Sequence, residues 1–257
     1  MTLPRSQAVC MTSLRRCFQR LQVATRLCGT LPCGLGERKI SAMSQVNWKD
    51  WHAPYDDPES PMSRRLAAVQ RRIRDALDSH PAGQLRAISV CAGQGHDLLG
   101  VLREHPRCSE VVARLVELDA GNVLSAREAA RAAGLARVEV VQGDAALTDA
   151  YEGLVPADLV LVCGLFGNIS DADVARVISN LPTLCASNAT VVWTRHLAPP
   201  DLTASIRGWF TEAGFAELHF EMVADRWGVG SARFVGSPAL FKRDVRLFDF
   251  LGYDQLV

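Results

Sequence analysis

The sequence predicts an α/β protein: a doubly wound, mostly parallel seven-stranded sheet with helices on both faces and an antiparallel C-terminal strand. From residue 86 to 213, short β-prone runs alternate with segments of helical apolar spacing, which is typical of parallel sheets. Two glycines, Gly93 and Gly95, follow the first such run. The last two runs, 215–223 and 232–235, have no helix between them, which predicts a hairpin in a mixed sheet.

The first helix is predicted to begin at Ser60 and Pro61, because serine is a favoured N-cap and proline a favoured first helical residue. Its apolar stripe consists of Leu66, Val69, Ile73 and Leu77, and its arginines at 64, 71 and 72 are expected on the solvated face. The five parallel strands are expected at 86–91, 111–118, 138–142, 158–163 and 190–194. Helices are expected to end near His105, at Gly134, near Leu181 and near Ala213.

The first 43 residues differ from the rest of the chain. They hold seven of the 28 basic residues, one of the 28 acidic residues and four of the eight cysteines. An arginine-rich, acid-poor start is typical of organellar transit peptides. We interpret 1–43 as a disordered basic extension, and Met43 offers an alternative start of translation. Residues 44–82 are predicted to form an aromatic strap and the first helix, and 83–257 the ligand-binding domain.

Composition excludes several classes of protein. No stretch is apolar and long enough to span a bilayer. The cysteines have no C-x-x-C spacing, so no metal site is expected. Beyond residue 43 the acids exceed the bases by six, which argues against nucleic acid as the main partner. The remaining cysteines lie in apolar contexts, which is typical of a cytoplasmic protein.

The glycine turn is the first candidate ligand-binding feature. Ligands of open α/β sheets bind at the carboxyl ends of the strands, and Gly93 and Gly95 follow the first strand directly. Glycine adopts positive φ without strain and lets a ligand approach the backbone closely. A purely structural turn is the alternative interpretation.

Three further strand ends carry polar or small residues. Asp119 lies 24 residues after the second glycine, near the spacing at which an acid accepts both ribose hydroxyls of an adenine nucleoside. Asp144, beside the small Ala145, suits an adenine amino group, and Gly164 with Phe166 would form a flat wall. Helix caps or solvated loops would explain each acid separately. Together the four ends predict one nucleoside site.

These motifs resemble those of class I S-adenosylmethionine-dependent methyltransferases. The resemblance covers 60–236 and depends on the order Ala92-Gly93-Gln94-Gly95, Val116-Glu117-Leu118-Asp119, Gln142-Gly143-Asp144-Ala145 and Ala157-Asp158-Leu159-Val160-Leu161. The whole stretch is similar to bacterial methyltransferases of unassigned substrate. The resemblance implies S-adenosyl-L-methionine as cofactor: both glycines would lie against its methionine part, Asp119 would hold the ribose and Asp144 the adenine.

Two features depart from the family pattern. Ser89 stands where the family often has an acid, and Cys91 where it has its first glycine. Asp97 is therefore our candidate for the cofactor's ammonium group, with a plain helix-start acid as the alternative. The Asn-Pro-Pro-Tyr signature for exocyclic amines is absent after the fourth strand, where 163–166 reads Cys-Gly-Leu-Phe. This departure argues against methylation of DNA bases.

Methyl transfer depends mainly on positioning an acceptor, with a base helping when the acceptor is a hydroxyl or thiol. His196 and His52 are the candidate bases, and each could equally be structural. Arg195 would bind an acidic substrate or pair with Asp201, and Asn168 would orient an acceptor or cap a helix. Substrate selection is expected in the strap, the loop at 195–201 and the tail after residue 237.

The predicted function is methyl transfer from S-adenosylmethionine to a small molecule. Two other functions stay open: cofactor binding without catalysis, and an NAD(P)-dependent oxidoreductase. The latter usually has a third glycine in its turn, where this chain has Leu98, and it gives no reason for Asp144.

Overall fold

The computed structural model describes Asp57 and residues 59–251. Our interpretations of residues 1–43 and of the strap, including His52, lie outside the described residues. The strands are β1 Leu85–Val90, β2 Val111–Glu117, β3 Val138–Gln142, β4 Ala157–Val162, β5 Cys185–His196, β6 Phe215–Val223 and β7 Trp227–Phe234. The helices are α1 Pro61–Ser79, α2 Leu98–Leu102, α3 Ala120–Ala132, α4 Asp171–Asn180 and α5 Thr203–Glu212.

The seven strands form one sheet in the order β3-β2-β1-β4-β5-β7-β6. The pairs from β3 to β5 are parallel, and β7 is antiparallel to both of its neighbours. The predicted fold class is therefore confirmed. The last hairpin does not simply extend the sheet, since β7 lies between β5 and β6.

The ends of several elements differ from the prediction. Strands β5 and β7 are longer than expected, because their antiparallel ladder runs from Thr190 opposite Arg233 to His196 opposite Trp227. Helix α2 ends three residues before the predicted His105, which precedes a proline and is therefore biased away from helical geometry.

Helix α1 begins as predicted. The Ser60 hydroxyl accepts a hydrogen bond from the Ser63 N–H at 3.0 Å, and Pro61 is the first helical residue. The predicted solvated face is wrong in one position. The Arg72 side chain is only 15% exposed and pairs with Asp75, because this part of α1 lies over the sheet.

Alternation along the strands divides the core into two layers. Successive β residues point to opposite faces, so Leu159 and Leu161 pack with α1, α2 and α3 while Val160 and Val162 pack with α4 and α5. Trp193 lies in the second layer, stacked on Phe210 with ring centroids 5.7 Å apart. Within the part of the chain that the structure describes, no helix is long and apolar enough to cross a membrane.

Cys91 directly follows β1 and lies in the left-handed region, with φ 53°. This backbone geometry explains why the family pattern has glycine there, since the left-handed region costs an L-residue roughly 1–2 kcal/mol. The chain therefore keeps a cysteine at a strained position at the start of the glycine turn.

We expect the glycine variant to be the more stable one at Cys91 and the alanine variant to be the more stable one at Cys163. At Cys91, Cys91→Gly should leave the protein about 1 kcal/mol more stable than Cys91→Ala, because only glycine relieves the strain. At Cys163, which has no positive φ, Cys163→Ala should be more stable than Cys163→Gly. Urea unfolding of the four variants measures both differences in the free energy of unfolding. If the same substitution is the more stable one at both positions, the backbone at Cys91 is not strained.

Gly230 is predicted to be intolerant of any side chain. A Cβ there would lie 2.5 Å from Cζ2 and Nε1 of Trp193, so Gly230→Ala should lower the free energy of unfolding by about 1–3 kcal/mol through overpacking. Gly208 in α5 is the control, because its Cβ would meet nothing within 4 Å. Gly208→Ala should raise stability by up to about 1 kcal/mol. Denaturant unfolding measures the stability of both variants. Equal changes in the free energy of unfolding would show that a Cβ at position 230 does not clash with Trp193.

Candidate functional site

A cavity of about 660 Å³ lies at the carboxyl ends of the central strands. Nine of the ten predicted cofactor residues line it: Ala92, Gly93, Gln94, Gly95, Asp97, Asp119, Asp144, Ala145 and Gly164. The tenth, Phe166, is fully buried in the core, with its ring centroid 6.4 Å from that of Trp193. Parallel pairing of β1 with β2 and β4 brings these strand ends together.

The glycine turn is closed by its own hydrogen bonds. Gly93 and Gly95 have positive φ of 55° and 74°, as the sequence predicts. The N–H of Gly95 donates to the Ala92 carbonyl at 2.9 Å, and the N–H of Gly93 donates to Glu117 at 2.8 Å. A Cβ on Gly95 would lie 2.8 Å from Leu115 and Leu99 side-chain atoms. The glycines therefore allow the turn to pack closely against β2 and α2 and allow a ligand to approach the backbone. Their N–H groups already donate hydrogen bonds within the protein.

Glu117 is a cavity residue that our choice of Asp119 overlooked. One carboxylate oxygen of Glu117 accepts from Gly93 and the other from the Asp119 N–H, at 2.8 and 2.9 Å. A carboxylate has about four acceptor sites, so each oxygen keeps capacity for another donor. The last residue of β2 is thus held between the glycine turn and the start of α3. In the sequence, Glu117 can be recognised as the acid two residues before Asp119.

The two predicted nucleoside acids both have protein partners. Asp119 is exposed, and its carboxylate caps α3 by accepting from the Asn122 N–H at 2.8 Å. Asp144 accepts from the Ala146 N–H at 2.9 Å and pairs with Arg246 at 2.9 Å. Both carboxylates line the cavity, and each keeps free acceptor capacity.

Asp97 is a helix-start acid at the cavity wall, and its contact with the cofactor's ammonium group stays a prediction. It accepts from the Leu98 N–H at 2.7 Å as the N-cap of α2, and it lines the cavity. Burial raises the pKa of its carboxyl, while the Leu98 N–H and the charge of Arg65 lower it. Arg65, which also lines the cavity, is 6% exposed and lies 4.7 Å from the ring centroid of Trp227. A buried cation and a half-buried anion that interact electrostatically therefore line the same cavity.

Two thiols line the cavity and are not activated. Burial, followed by the negative charges of Glu117 and Asp144, raises the pKa of the Cys91 thiol. Burial and then the charge of Asp97 raise the pKa of the Cys163 thiol. Both thiols stay protonated at neutral pH, and a thiolate is needed for nucleophilic attack.

The structure places His196 at the end of β5, outside the residues that line the cavity. Burial, then the charge of Arg195, lowers the pKa of its imidazole. Its buried Nδ1 has no hydrogen-bond partner among the described residues. Arg195 donates to the Phe166 carbonyl and lies 3.9 Å from Asp171, so its nearest acid is not the predicted Asp201. The roles of His196 and His52 as bases stay predictions.

Asn168 and the C-terminal tail close one side of the cavity. The Asn168 side-chain amide donates to the Gly164 carbonyl, and the Asn168 backbone carbonyl accepts from the Leu251 N–H at 3.0 Å. The tail also binds the loop after β3, where the Leu247 N–H donates to Ala146 at 2.8 Å. These contacts bring Arg246, Phe248 and Phe250 to the cavity wall.

Sequence analysis placed Leu66 and Val69 in the core stripe of α1 and gave Arg65 no role. The structure puts all three at the cavity wall. The periodicity of a helix identifies its apolar face, but it does not say which turn of that face covers a cavity. Glu117 lies at the end of β2, whereas the missed residues of α1 and of the tail reach the site from outside the sheet.

Comparison with known proteins gives a clear result for the fold and none for the sequence. No protein-family model matches the chain, and no curated protein matches its sequence. The chain is similar in structure to magnesium protoporphyrin IX methyltransferase from Synechocystis PCC 6803 with bound S-adenosylmethionine. The TM-score is 0.58 at 14% identity, covering 73% of this chain and 91% of that one.

Two further solved structures show the same similarity. An O-methyltransferase family protein from Burkholderia thailandensis has a TM-score of 0.52 at 18% identity, covering 74% of this chain and 64% of its own. A protein from Bordetella parapertussis, described as a possible exported protein, has a TM-score of 0.53 at 22% identity, covering 66% and 67%. The strand order, the glycine turn and these similarities together show that the chain has the fold of class I S-adenosylmethionine-dependent methyltransferases.

Proposed function

We propose that the chain binds S-adenosyl-L-methionine in the 660 Å³ cavity and transfers its methyl group to a small-molecule acceptor. The observation that carries the proposal is Asp97 at the start of α2, beside the glycine turn. A dinucleotide-binding fold receives a pyrophosphate at this place. A carboxylate there repels pyrophosphate and attracts an ammonium group, and the glycine N–H groups are already bonded within the protein.

The amino-acid part of the cofactor would lie between Asp97 and Arg65. Asp97 would accept from its ammonium group, and the Arg65 guanidinium would pair with its carboxylate. Burial raises the pKa of Asp97 more than the Leu98 N–H and the charge of Arg65 lower it, so these partners only partly offset the lost solvation of the carboxylate. A bound ammonium group would supply a further partner. Charge-assisted hydrogen bonds of this kind are stronger than neutral ones.

The nucleoside part would lie along the ends of β2 and β3. We propose Glu117 as the main acceptor for the ribose hydroxyls, because its carboxylate is half-buried and fixed by two backbone N–H groups. Asp119 lies farther out and already caps α3. Asp144 would accept from the adenine amino group with the capacity that Arg246 leaves free, beside the small Ala145.

When bound, S-adenosylmethionine supplies the electrophilic methyl group and the sulfonium leaving group. The protein's part is to hold the acceptor in line and to exclude water. Leu66, Val69, Phe248 and Phe250 give the cavity apolar walls, which suits an acceptor with apolar surface. The acidic balance of the chain beyond residue 43 favours a small molecule over nucleic acid.

The first test is ligand binding by the full chain, followed by transfer. We expect isothermal titration to show one site for S-adenosylmethionine and S-adenosylhomocysteine and none for NAD or NADP. A panel of small phenols, thiols and amines should then yield S-adenosylhomocysteine in the presence of one class of acceptor. Binding of NAD alone would overturn the proposal. Cofactor binding without transfer to any acceptor would favour the non-catalytic alternative.

The proposed contacts predict a different result for each half of the ligand. Asp97→Asn keeps an N-cap residue but loses the charge, so it should weaken S-adenosylhomocysteine about tenfold or more. It should leave 5′-methylthioadenosine, which has no amino-acid part, unchanged. Glu117→Gln should weaken both ligands by about tenfold, since both carry the ribose. Isothermal titration measures the four dissociation constants.

Asp119→Asn is the matched control, because it changes another capping aspartate at the same cavity. Asparagine also caps helices well, so α3 should be kept. We expect little change in either dissociation constant. A large loss with Asp119→Asn and none with Glu117→Gln would return the ribose to Asp119, while equal losses of both ligands with Asp97→Asn would contradict the ammonium contact.

A further inference from the structure

A second cavity, of about 220 Å³, lies between the C-terminal half of α1 and the sheet. On the sheet side it is lined by Thr190, His219, Ser231 and Arg233. Thr190 pairs with Arg233 across β5 and β7, and Ser231 pairs with His219 across β7 and β6. Residues directly opposite each other point to the same face, so these polar side chains share the face that α1 covers.

Helix α1 contributes its own polar residues to this cavity. Arg72 and Ser79 line it, and a separation of seven residues places both on one face of a helix. These polar residues flank the apolar stripe of α1, since Ile73 and Leu77 remain buried in the core beneath its second half. Thr190 and Ser231 are 5% and 4% exposed, while Asp75 and Ser79 are exposed, so the niche has a buried floor on the sheet and opens to solvent beside α1.

The two arginines of the niche are only partly paired. Arg72 lies 3.3 Å from Asp75, and Arg233 donates to the Ser79 hydroxyl at 3.5 Å. The Nε atoms of Arg72 and Arg233 are buried and have no hydrogen-bond partner among the described residues. Asp75 is the only carboxylate among the described residues that line this cavity. Two guanidinium groups therefore face one carboxylate.

Buried cations without full pairing are costly, and they are stabilised by an anion that accepts several hydrogen bonds. Arginine binds phosphate through paired N–H donors in a planar fork. The hydroxyls of Thr190 and Ser231 can add two donors. The donors come from α1 on one side of the cavity and from the sheet on the other, an arrangement that suits a tetrahedral oxyanion better than a planar carboxylate.

We propose that this niche is a binding site for a phosphate group, held by Arg72 and Arg233 with help from the Thr190 and Ser231 hydroxyls. The site is separate from the methyl-transfer cavity, and the proposal does not depend on the function given above. The ligand is either free phosphate or a phosphate monoester, since the chemistry recognised is the same.

The test is isothermal titration of the full chain with inorganic phosphate, glycerol 3-phosphate and acetate at constant ionic strength. We expect saturable binding at one site for inorganic phosphate and no binding of acetate. Glycerol 3-phosphate should also bind if the natural ligand is a monoester. Arg72→Met and Arg233→Met should each raise the dissociation constant for phosphate about tenfold or more, because each removes charge-assisted hydrogen bonds.

Arg131→Met is the matched control, since Arg131 is an exposed arginine in the last turn of α3. It should leave phosphate binding unchanged. Circular dichroism spectra and cooperative urea unfolding should be kept in all three variants, which shows that they fold. A loss of phosphate affinity of the same size in Arg131→Met would reveal general electrostatic attraction and overturn the proposal. No saturable phosphate binding by the unmodified chain would overturn it directly, whether or not the variants fold.

Discussion

Parallel pairing of β1 with β2 and β4 is the constraint on which the candidate site depends. Pairing of this kind places the carboxyl ends of the three strands at one edge of the sheet. One hydrogen bond, from the Gly93 N–H to Glu117 at 2.8 Å, then joins the turn after β1 to the end of β2. This joint holds the glycine turn against the sheet, and α1 and the tail form further walls of the cavity.

The electrostatic character of the cavity distinguishes it from a dinucleotide site. Its glycine N–H groups are bonded within the protein, and a carboxylate caps the helix that follows. The N–H groups of Gly93 and Gly95 are therefore not free to donate to a pyrophosphate. It suits a ligand that brings its own positive charge and needs acceptors, which the carboxylates at 97, 117 and 144 provide. This preference for a positively charged ligand agrees with the similarity of the fold to that of methyltransferases.

Helix α1 serves two cavities with different chemistry. Its first half places Arg65, Leu66 and Val69 at the larger cavity, and its second half places Arg72 and Ser79 over the polar niche. The apolar stripe between them packs on the sheet. Because one rigid helix spans both places, its burial against β5 and β7 determines the position of both walls.

The sequence by itself determined the fold class, most strand positions, the glycine turn and the acids at the strand ends, because these follow from local periodicity and from residue types at fixed spacing. Only the tertiary structure decided which of those residues face the cavity. It buried Phe166 behind Trp193, put Glu117 beside Gly93 and paired Asp144 with Arg246. These outcomes depend on contacts between residues far apart in the chain, such as the 102 positions that separate Asp144 from Arg246. Spacing along the sequence carries no information about such distances, since chain packing alone sets them.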